Sequence, residues 1–274
     1  MVLKLNMKTK YKILIAKLIS SLINIFISKS QKIVRGNINW ELDLNEGIDL
    51  SIFLFGTSER KILNLKDLFK SNSKLLFLDI GANIGSVSLP LAKLFKYCKI
   101  YSIEPTNFAF DKFKKNLSLN KDLQKRVFLN QFFISNLKKP KKVWSSWSLD
   151  NDKNKHKKHR GILKLIKKNS YISLDNFIKK KKIKKIDFIK LDVDGYELDV
   201  FKSGKKFFKK NRPIIFIEIA PYLYPEFGYS CLILIQYIKK IGYEFFDEDL
   251  KKIQNIEKVI ENISNGSSKN FYLR

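Results

Sequence analysis

Asp79, Glu104 and Asp192 each stand at the end of a short apolar run, and a glycine turn follows the first of them. Residues 75–105 read LLFLDIGANIGSVSLPLAKLFKYCKIYSIEP. An apolar run ends in Asp79 and the turn Gly81-Ala82-Asn83-Ile84-Gly85 follows. An amphipathic stretch then leads into a second apolar run, closed by Glu104-Pro105. Strand, glycine loop, helix, strand and acid form half of a nucleotide-binding βαβ unit. Glycine lets the backbone come close to a ligand, and the acid can accept both hydroxyls of a ribose. Glu104 lies 19 residues beyond Gly85, near the spacing of about 20 that puts such an acid beside the loop.

The loop decides which nucleotide is expected. A dinucleotide site needs G-x-G-x-x-G, whose second glycine admits a pyrophosphate at the helix N-terminus. Here the pattern is G-x-x-x-G, with Asn83 in that glycine's place. A ligand with ribose and adenine but no phosphate fits better, and S-adenosyl-L-methionine is the common one. The expected cofactor contacts are Asp79, Gly81, Asn83, Gly85, Glu104, Pro105 and Asp192, with Asp79 facing the methionyl amine directly or through water. The missing middle glycine argues against an oxidoreductase.

A second cluster is IKLDVDGYELDV, where Lys190, Asp192, Asp194 and Glu197 crowd eight residues. Strand alternation puts Lys190 and Asp192 on one face, so Lys190 can keep Asp192 ionised as a base toward a methyl acceptor. Asp194 and Glu197 sit at a helix start, where carboxylates favour the dipole. These carboxylates could hold Mg²⁺, but no spacing demands it, and no metal is expected. His156 and His159 lie in a lysine-rich stretch and read as solvated. His159 is the favoured imidazole candidate for a base, because Arg160-Gly161 begins a return to ordered structure.

The elements that must position these groups alternate along the chain. Strands are expected over 75–78, 100–103, 127–133, 186–191 and 214–219, with 243–246 and 271–273 as a final antiparallel pair. Helices are expected over 63–69, 106–120, 174–178, 196–201 and 230–241, the last with Leu232, Ile235 and Ile238 in phase. Seven strands alternating with helices make a doubly wound α/β fold, a mostly parallel sheet with helices on both faces. In such sheets the ligand lies outside the carboxyl ends of the strands at the switch point, so the three acids converge there. Residues 134–170, which include WSSW at 144–147, read as an irregular substrate insertion in a catalytic domain spanning 74–274. Residues 33–73 read as a β-hairpin and helix leading into the core, with the hairpin ending near the ligand mouth.

Residues 1–32 contain an apolar stretch at 11–27 interrupted by Lys12 and Lys17. Its uninterrupted part is too short to span a bilayer, and no small-x-small cleavage site follows. An amphipathic helix packed on the domain is expected, with an in-plane membrane helix as the alternative. Two cysteines without metal or redox spacing suit a reducing compartment. The expected location is cytoplasmic, at the inner membrane face if residues 11–27 touch lipid.

The formal net charge is +28, yet only six of the 54 basic residues are Arg, the better bidentate reader of phosphate. The lysines are spread along the chain, with runs at 138–142, 179–185 and 205–210. Most therefore read as solvated faces, and a nucleic-acid partner is not expected. Base-amino methylation commonly uses an (N/D/S)-P-P-(Y/F) turn after the fourth strand, where this chain has Asp192-Val193-Asp194-Gly195. Carbon-5 methylation needs a Pro-Cys nucleophile, and neither Cys98 nor Cys231 follows proline.

FLDIGANIG, IEP, Leu174-Asp175 and FIKLDVDGYELDVFKSG followed by RPIIFIE together resemble the FkbM-type methyltransferases. VRGNINWELDLNEGIDLSIFLFG resembles that family's front end, so the likeness covers about residues 33–247. It implies a seven-stranded Rossmann-like fold, S-adenosylmethionine and O-methylation of hydroxyls on small molecules or glycans. Asp194 stands where the family more commonly has Glu, a shorter reach with the same charge. Two other readings remain open at this point: a nucleic-acid methyltransferase, and a non-catalytic binding module tethered to membranes. The sequence leaves the acceptor and the oligomeric state open.

Overall fold

A computed structural model describes residues 9–136, 140–147, 149, 155–157, 161–168 and 170–274. Its strands are β1 (Ser30–Arg35), β2 (Ile38–Asp43), β3 (Leu76–Ile80), β4 (Lys99–Ile103), β5 (Val127–Asn130), β6 (Phe133–Ile134) and β7 (Lys142–Trp147). They continue with β8 (Gly161–Leu165), β9 (Tyr171–Ile172), β10 (Phe188–Leu191), β11 (Ile214–Ile219), β12 (Phe245–Phe246) and β13 (Lys269–Leu273). The α-helices are α1 (Thr9–Phe26), α2 (Gly47–Phe55), α3 (Ser88–Leu94), α4 (Asn107–Ser118), α5 (Leu174–Lys180), α6 (Glu197–Ser203), α7 (Lys205–Lys210), α8 (Cys231–Lys240) and α9 (Ile256–Glu261).

The main sheet has seven strands in the order β12-β13-β11-β10-β3-β4-β5. Strands β3, β4, β5, β10 and β11 are parallel, and β13 inserts antiparallel between β11 and β12. The order reverses between β3 and β10, so the crevice at their carboxyl ends is the switch point. This is the Rossmann-like sheet expected from the sequence, including the antiparallel last strand.

Alternation sorts the side chains of the central strands to two cores. Leu78, Ile80, Ile189, Leu191, Ile215 and Ile217 face the layer of α5, α6 and α8. Phe77, Phe188 and Phe216 face the other way, where they meet Trp40 and Leu42 of β2 and Leu91 of α3. The hairpin of β1 and β2 therefore shares a core with the sheet. Its turn, Gly36-Asn37, has φ of 59° and 58°, the two left-handed residues of a type I′ hairpin turn.

Several boundaries differ from the sequence reading. The first strand runs through Asp79 to Ile80 instead of stopping before the acid. The third ends at Asn130, and Phe133–Ile134 leaves the sheet to pair with Tyr171–Ile172. The segment expected to be irregular contains an antiparallel ribbon, β7 with β8, and WSSW lies on its bulged strand. The short helix before the core is a 3₁₀ helix, Arg60–Asp67. In α8 the buried face is Cys231, Leu234, Ile235 and Ile238, and Leu232 is exposed, because the i, i+3, i+4, i+7 stripe starts at Cys231 and Leu232 lies just past its edge, about 60° beyond Ile235. Cys98 and Cys231 are both buried free thiols.

Candidate active site

The carboxyl ends of β3, β4 and β10 meet through their backbones before any side chain is considered. After Ile80 the chain turns at Gly81, φ 82°, and the amides of Gly81 and Ala82 both donate to the Ile103 carbonyl at 3.0 Å. A Cβ on Gly81 would lie 1.8 Å from the Asp192 carbonyl oxygen, so only glycine lets the loop rest on the end of β10. Gly85, φ 89°, is pressed against the Phe113 ring in the same way. Asn83 adopts φ 48° itself, a conformation that asparagine tolerates better than most residues. Its Oδ1 accepts from the Ile84 amide at 2.8 Å.

Glu104 is tied into this loop. Its Oε2 accepts from the Asn83 amide at 3.0 Å, and its Oε1 accepts from the Thr106 amide at 2.9 Å and hydroxyl at 2.6 Å. The side chain is buried in the cavity wall beside Pro105 and Thr106. Burial raises its pKa, against the hydrogen bonds from Thr106 and Asn83 that favour the anion. Thr106 also caps α4 through the Ala109 amide, so the acid, the cap and the glycine loop form one rigid unit.

Asp79 is placed differently from the expectation. Because it lies within β3, alternation puts its side chain on the Phe77 face, which α3 covers, and it does not line the cavity. There it registers against Lys190 on one side and Ser102 on the other. Its Oδ2 accepts from Ser88 Oγ at 2.6 Å, Ser88 shares a second 2.6 Å bond with Ser102, and Lys190 Nζ is 3.9 Å from Oδ1. Burial raises the Asp79 pKa. Asp79 thus anchors α3 and Lys190 beneath the loop.

Lys190 is buried, donates to the Gly81 carbonyl at 2.7 Å and lies 3.2 Å from Asp192 Oδ2. Burial would lower its pKa, but Asp192 and Asp79 outweigh it and hold it above the ordinary lysine value. Asp192 is about one-third exposed and lines the cavity. Burial works to raise its pKa, while Lys190 and a hydrogen bond with Glu218 overcome that and hold it below the usual value. Glu218 is pushed well above the usual carboxylate range by burial and by the Asp192 charge. Asp194 is likewise raised by burial and by repulsion from Asp192 and Glu197. Asp192 is thus shifted down while its neighbours Glu218 and Asp194 are shifted up. Asp194 and Gly195 form the turn with φ of 49° and 100°, and Glu197 Oε1 accepts from the Val193 and Gly195 amides at 3.3 Å each.

One ligand oxygen from each of Asp192, Asp194 and Glu218 lies within 4.8 Å of the others. This is an oxygen set that a hard divalent cation could use, and Lys190 already supplies positive charge to it. Glu218 was visible in sequence only as the lone acid of the apolar strand IIFIEI, and nothing there assigned it to the site. Glu59, from the segment after α2, also lines the cavity and is pushed up to about 7 by burial and by Asp192.

The cavity measures about 390 Å³. Gly81, Asn83, Glu104, Pro105, Asp192, Asp194 and Glu218 all line it. Val143 and Trp144 of the β7–β8 ribbon form part of its wall. His159 lies outside the described residues. His156 is buried, which corrects the solvated reading. Its Nε2 is 3.0 Å from Glu226 Oε1, and its ring packs edge-on to Trp144 at 4.7 Å.

The nucleoside expected from the sequence fits these residues. Glu104 points its pre-oriented carboxylate at the cavity where ribose hydroxyls would be held, and Ile103, Pro105 and Phe132 supply apolar wall beside it.

Comparison with known proteins agrees with the geometry. The chain matches the model of the methyltransferase FkbM domain over residues 79–245. No curated protein matches it. Among solved structures, a human methyltransferase 10 domain containing protein is 12% identical, with 96% of this chain and 95% of that one covered and a TM-score of 0.48. Precorrin-6y C5,15-methyltransferase from Geobacter metallireducens is 12% identical over 78% and 85% of the two chains, with a TM-score of 0.42. A putative caffeoyl-CoA O-methyltransferase from Staphylococcus aureus is 14% identical over 84% and 93%, with a TM-score of 0.41. Likenesses this distant leave the assignment to the family match, which spans more than half of the chain: this protein belongs to the FkbM methyltransferase domain family and is an S-adenosylmethionine-dependent methyltransferase.

Proposed function

We propose that the acceptor is a hydroxyl group, on a glycan or a small polyhydroxylated molecule, and that Asp192 takes its proton. S-adenosylmethionine supplies a methyl group already activated by its sulfonium. The protein's work is then to hold the acceptor oxygen in line with that methyl group and to remove its proton. The observation that carries the reading is the placement of Asp192: it faces the cavity 3.2 Å from Lys190, which outweighs burial and holds its pKa below the usual value, while burial and the Asp192 charge push Glu218 up. Lys190 fixes the Asp192 carboxylate and the Gly81 carbonyl together, so base and cofactor loop share one support. Loss of the acceptor proton to Asp192, as the new O–C bond forms and the donor's methyl–sulfur bond breaks, leaves a neutral methyl ether and S-adenosylhomocysteine.

The surroundings support a sugar-like acceptor. Ser58, Ser268, Asp194 and Glu218 offer polar atoms to hydroxyls, and Trp144 and Tyr222 offer ring surface to the C–H faces of a pyranose. A surface polysaccharide or a lipid-linked glycan is the class that fits. A nucleic acid fits less well, since a phosphate entering here would meet the Asp192 carboxylate. The test uses labelled S-adenosylmethionine with fractionated glycans, lipid-linked sugars and RNA. One methyl group is expected on a glycan hydroxyl. Label appearing in RNA alone would refute the proposal.

A further inference from the structure

The helix α1 shows the solvent a wide apolar face. Leu14, Leu18, Leu22, Ile25 and Phe26 each leave more than half of their surface exposed. At 100° per residue they occupy one arc of roughly 120°. The opposite side is docked: Ile13 is buried, with Ala16 and Ile23 against Leu44, Leu50 and Leu149. Ser20 Oγ donates to the Leu44 carbonyl at 3.0 Å, and Asn24 Nδ2 donates to Asn45 Oδ1 at 3.2 Å. These polar bonds fix the roll of the helix, so the outward stripe cannot turn inward. Phe53 of α2 packs in the same cluster as Ile13, and the next residues, Leu54 and Phe55, are exposed as well. The apolar surface therefore continues beyond α1.

Charge decides what covers it. The first 40 residues contain seven lysines and Arg35 and not one acid. A second copy on this face would bring two such basic segments together, which repel. An anionic lipid surface attracts them. The helix has 18 residues, about 27 Å at 1.5 Å per residue, short of the roughly 30 Å hydrocarbon layer. Among the described residues no helix is long and apolar enough to cross a membrane. We propose that α1 lies in the plane of an anionic membrane surface, its outward stripe among the acyl chains and its basic residues at the headgroups. The proposal goes beyond the methyl-transfer reading and does not depend on it.

The test is co-sedimentation of the full chain with vesicles of phosphatidylcholine alone and of phosphatidylcholine mixed with phosphatidylglycerol. Binding is expected on the mixed vesicles, weaker by at least about tenfold on the neutral ones and falling with salt. The double variant Leu18→Glu/Leu22→Glu is expected to bind about 100-fold more weakly, roughly tenfold per residue. Its affinity for S-adenosylhomocysteine should be unchanged, which reports that it is folded. Leu18→Ser serves if the double variant does not fold, and should itself weaken vesicle binding. Leu232→Glu, which places the same charge on an exposed leucine of α8, should bind vesicles like the parent. Absence of parent binding to the anionic vesicles would overturn the proposal, as would equal binding by the α1 variants. A solution dimer that Leu18→Glu/Leu22→Glu splits would also overturn it, because a second copy would then cover the stripe.

Discussion

Replacing Glu104 with alanine separates its two tasks, because its existing bonds are known. Three hydrogen bonds from Asn83 and Thr106 already reach the carboxylate, and an ionised carboxylate offers about four acceptor sites. The remaining capacity faces the cavity, where ribose hydroxyls would be held. A hydrogen bond to a charged group is worth about 1.5–3 kcal/mol. Burial raises the Glu104 pKa, so part of that value is offset by the cost of keeping the anion. One acceptor site therefore remains for the ribose, and its net loss is about 1–3 kcal/mol, or roughly fivefold to 150-fold in the dissociation constant. The Asn83 and Thr106 amides also lose their acceptor, at about 1–3 kcal/mol each if they stay dry. The cofactor-free protein should therefore melt several degrees lower. Calorimetry with S-adenosylhomocysteine on the folded Glu104→Ala variant reads the first effect, and thermal melting without ligand reads the second. A lower melting temperature with an unchanged dissociation constant would refute the ribose role and leave Glu104 as a brace for the glycine loop. Acid should act in the same direction. Because the pKa is raised, affinity should begin to fall with decreasing pH above the ordinary glutamate range.

Asp192→Asn should bind S-adenosylhomocysteine nearly normally while turnover falls by about 10²–10⁴-fold, the usual contribution of a general base; full activity in a steady-state assay would exclude Asp192 from that role. Calorimetry should show no binding of NAD, since Asn83 stands where a pyrophosphate needs glycine. Chelation followed by Mg²⁺ should leave turnover unchanged, because Lys190 supplies positive charge beside Asp192; activity lost and then restored would make the three carboxylates metal ligands. Glu197 is buried and its pKa is pushed up to about 7, chiefly by burial. Its folded value lies above its unfolded one, so its contribution to stability is full below about 4.5 and is lost as pH rises through about 7. Denaturation across this window should show Glu197→Gln gaining on the parent by about 1–3 kcal/mol between about pH 5 and 8.

What could be read from the chain itself was local. The glycine turn, the acid 19 residues beyond it and the strand-helix alternation lie within single supersecondary units, where spacing limits the geometry. Gly36-Asn37 closes its hairpin and Ser173 and Ser230 cap α5 and α8, again through bonds between near neighbours in the chain. The site's chemistry depended on parity and topology. Asp79 lies within β3 on the face it shares with Phe77, and so meets Ser88 instead of the cavity, a placement that apolar-run boundaries do not resolve because they do not say whether the acid is inside the strand or in the loop after it. Glu218 joined Asp192 because β11 pairs with β10, and Glu59 arrived from a segment 133 residues before Asp192. His156 became buried only when Glu226 and Trp144 enclosed it. The sequence determined the fold class and the cofactor loop, since both follow from short-range backbone requirements. Tertiary structure alone decided which carboxyl pKa is lowered and which are raised, because a pKa is set by neighbours that the chain brings in from far away.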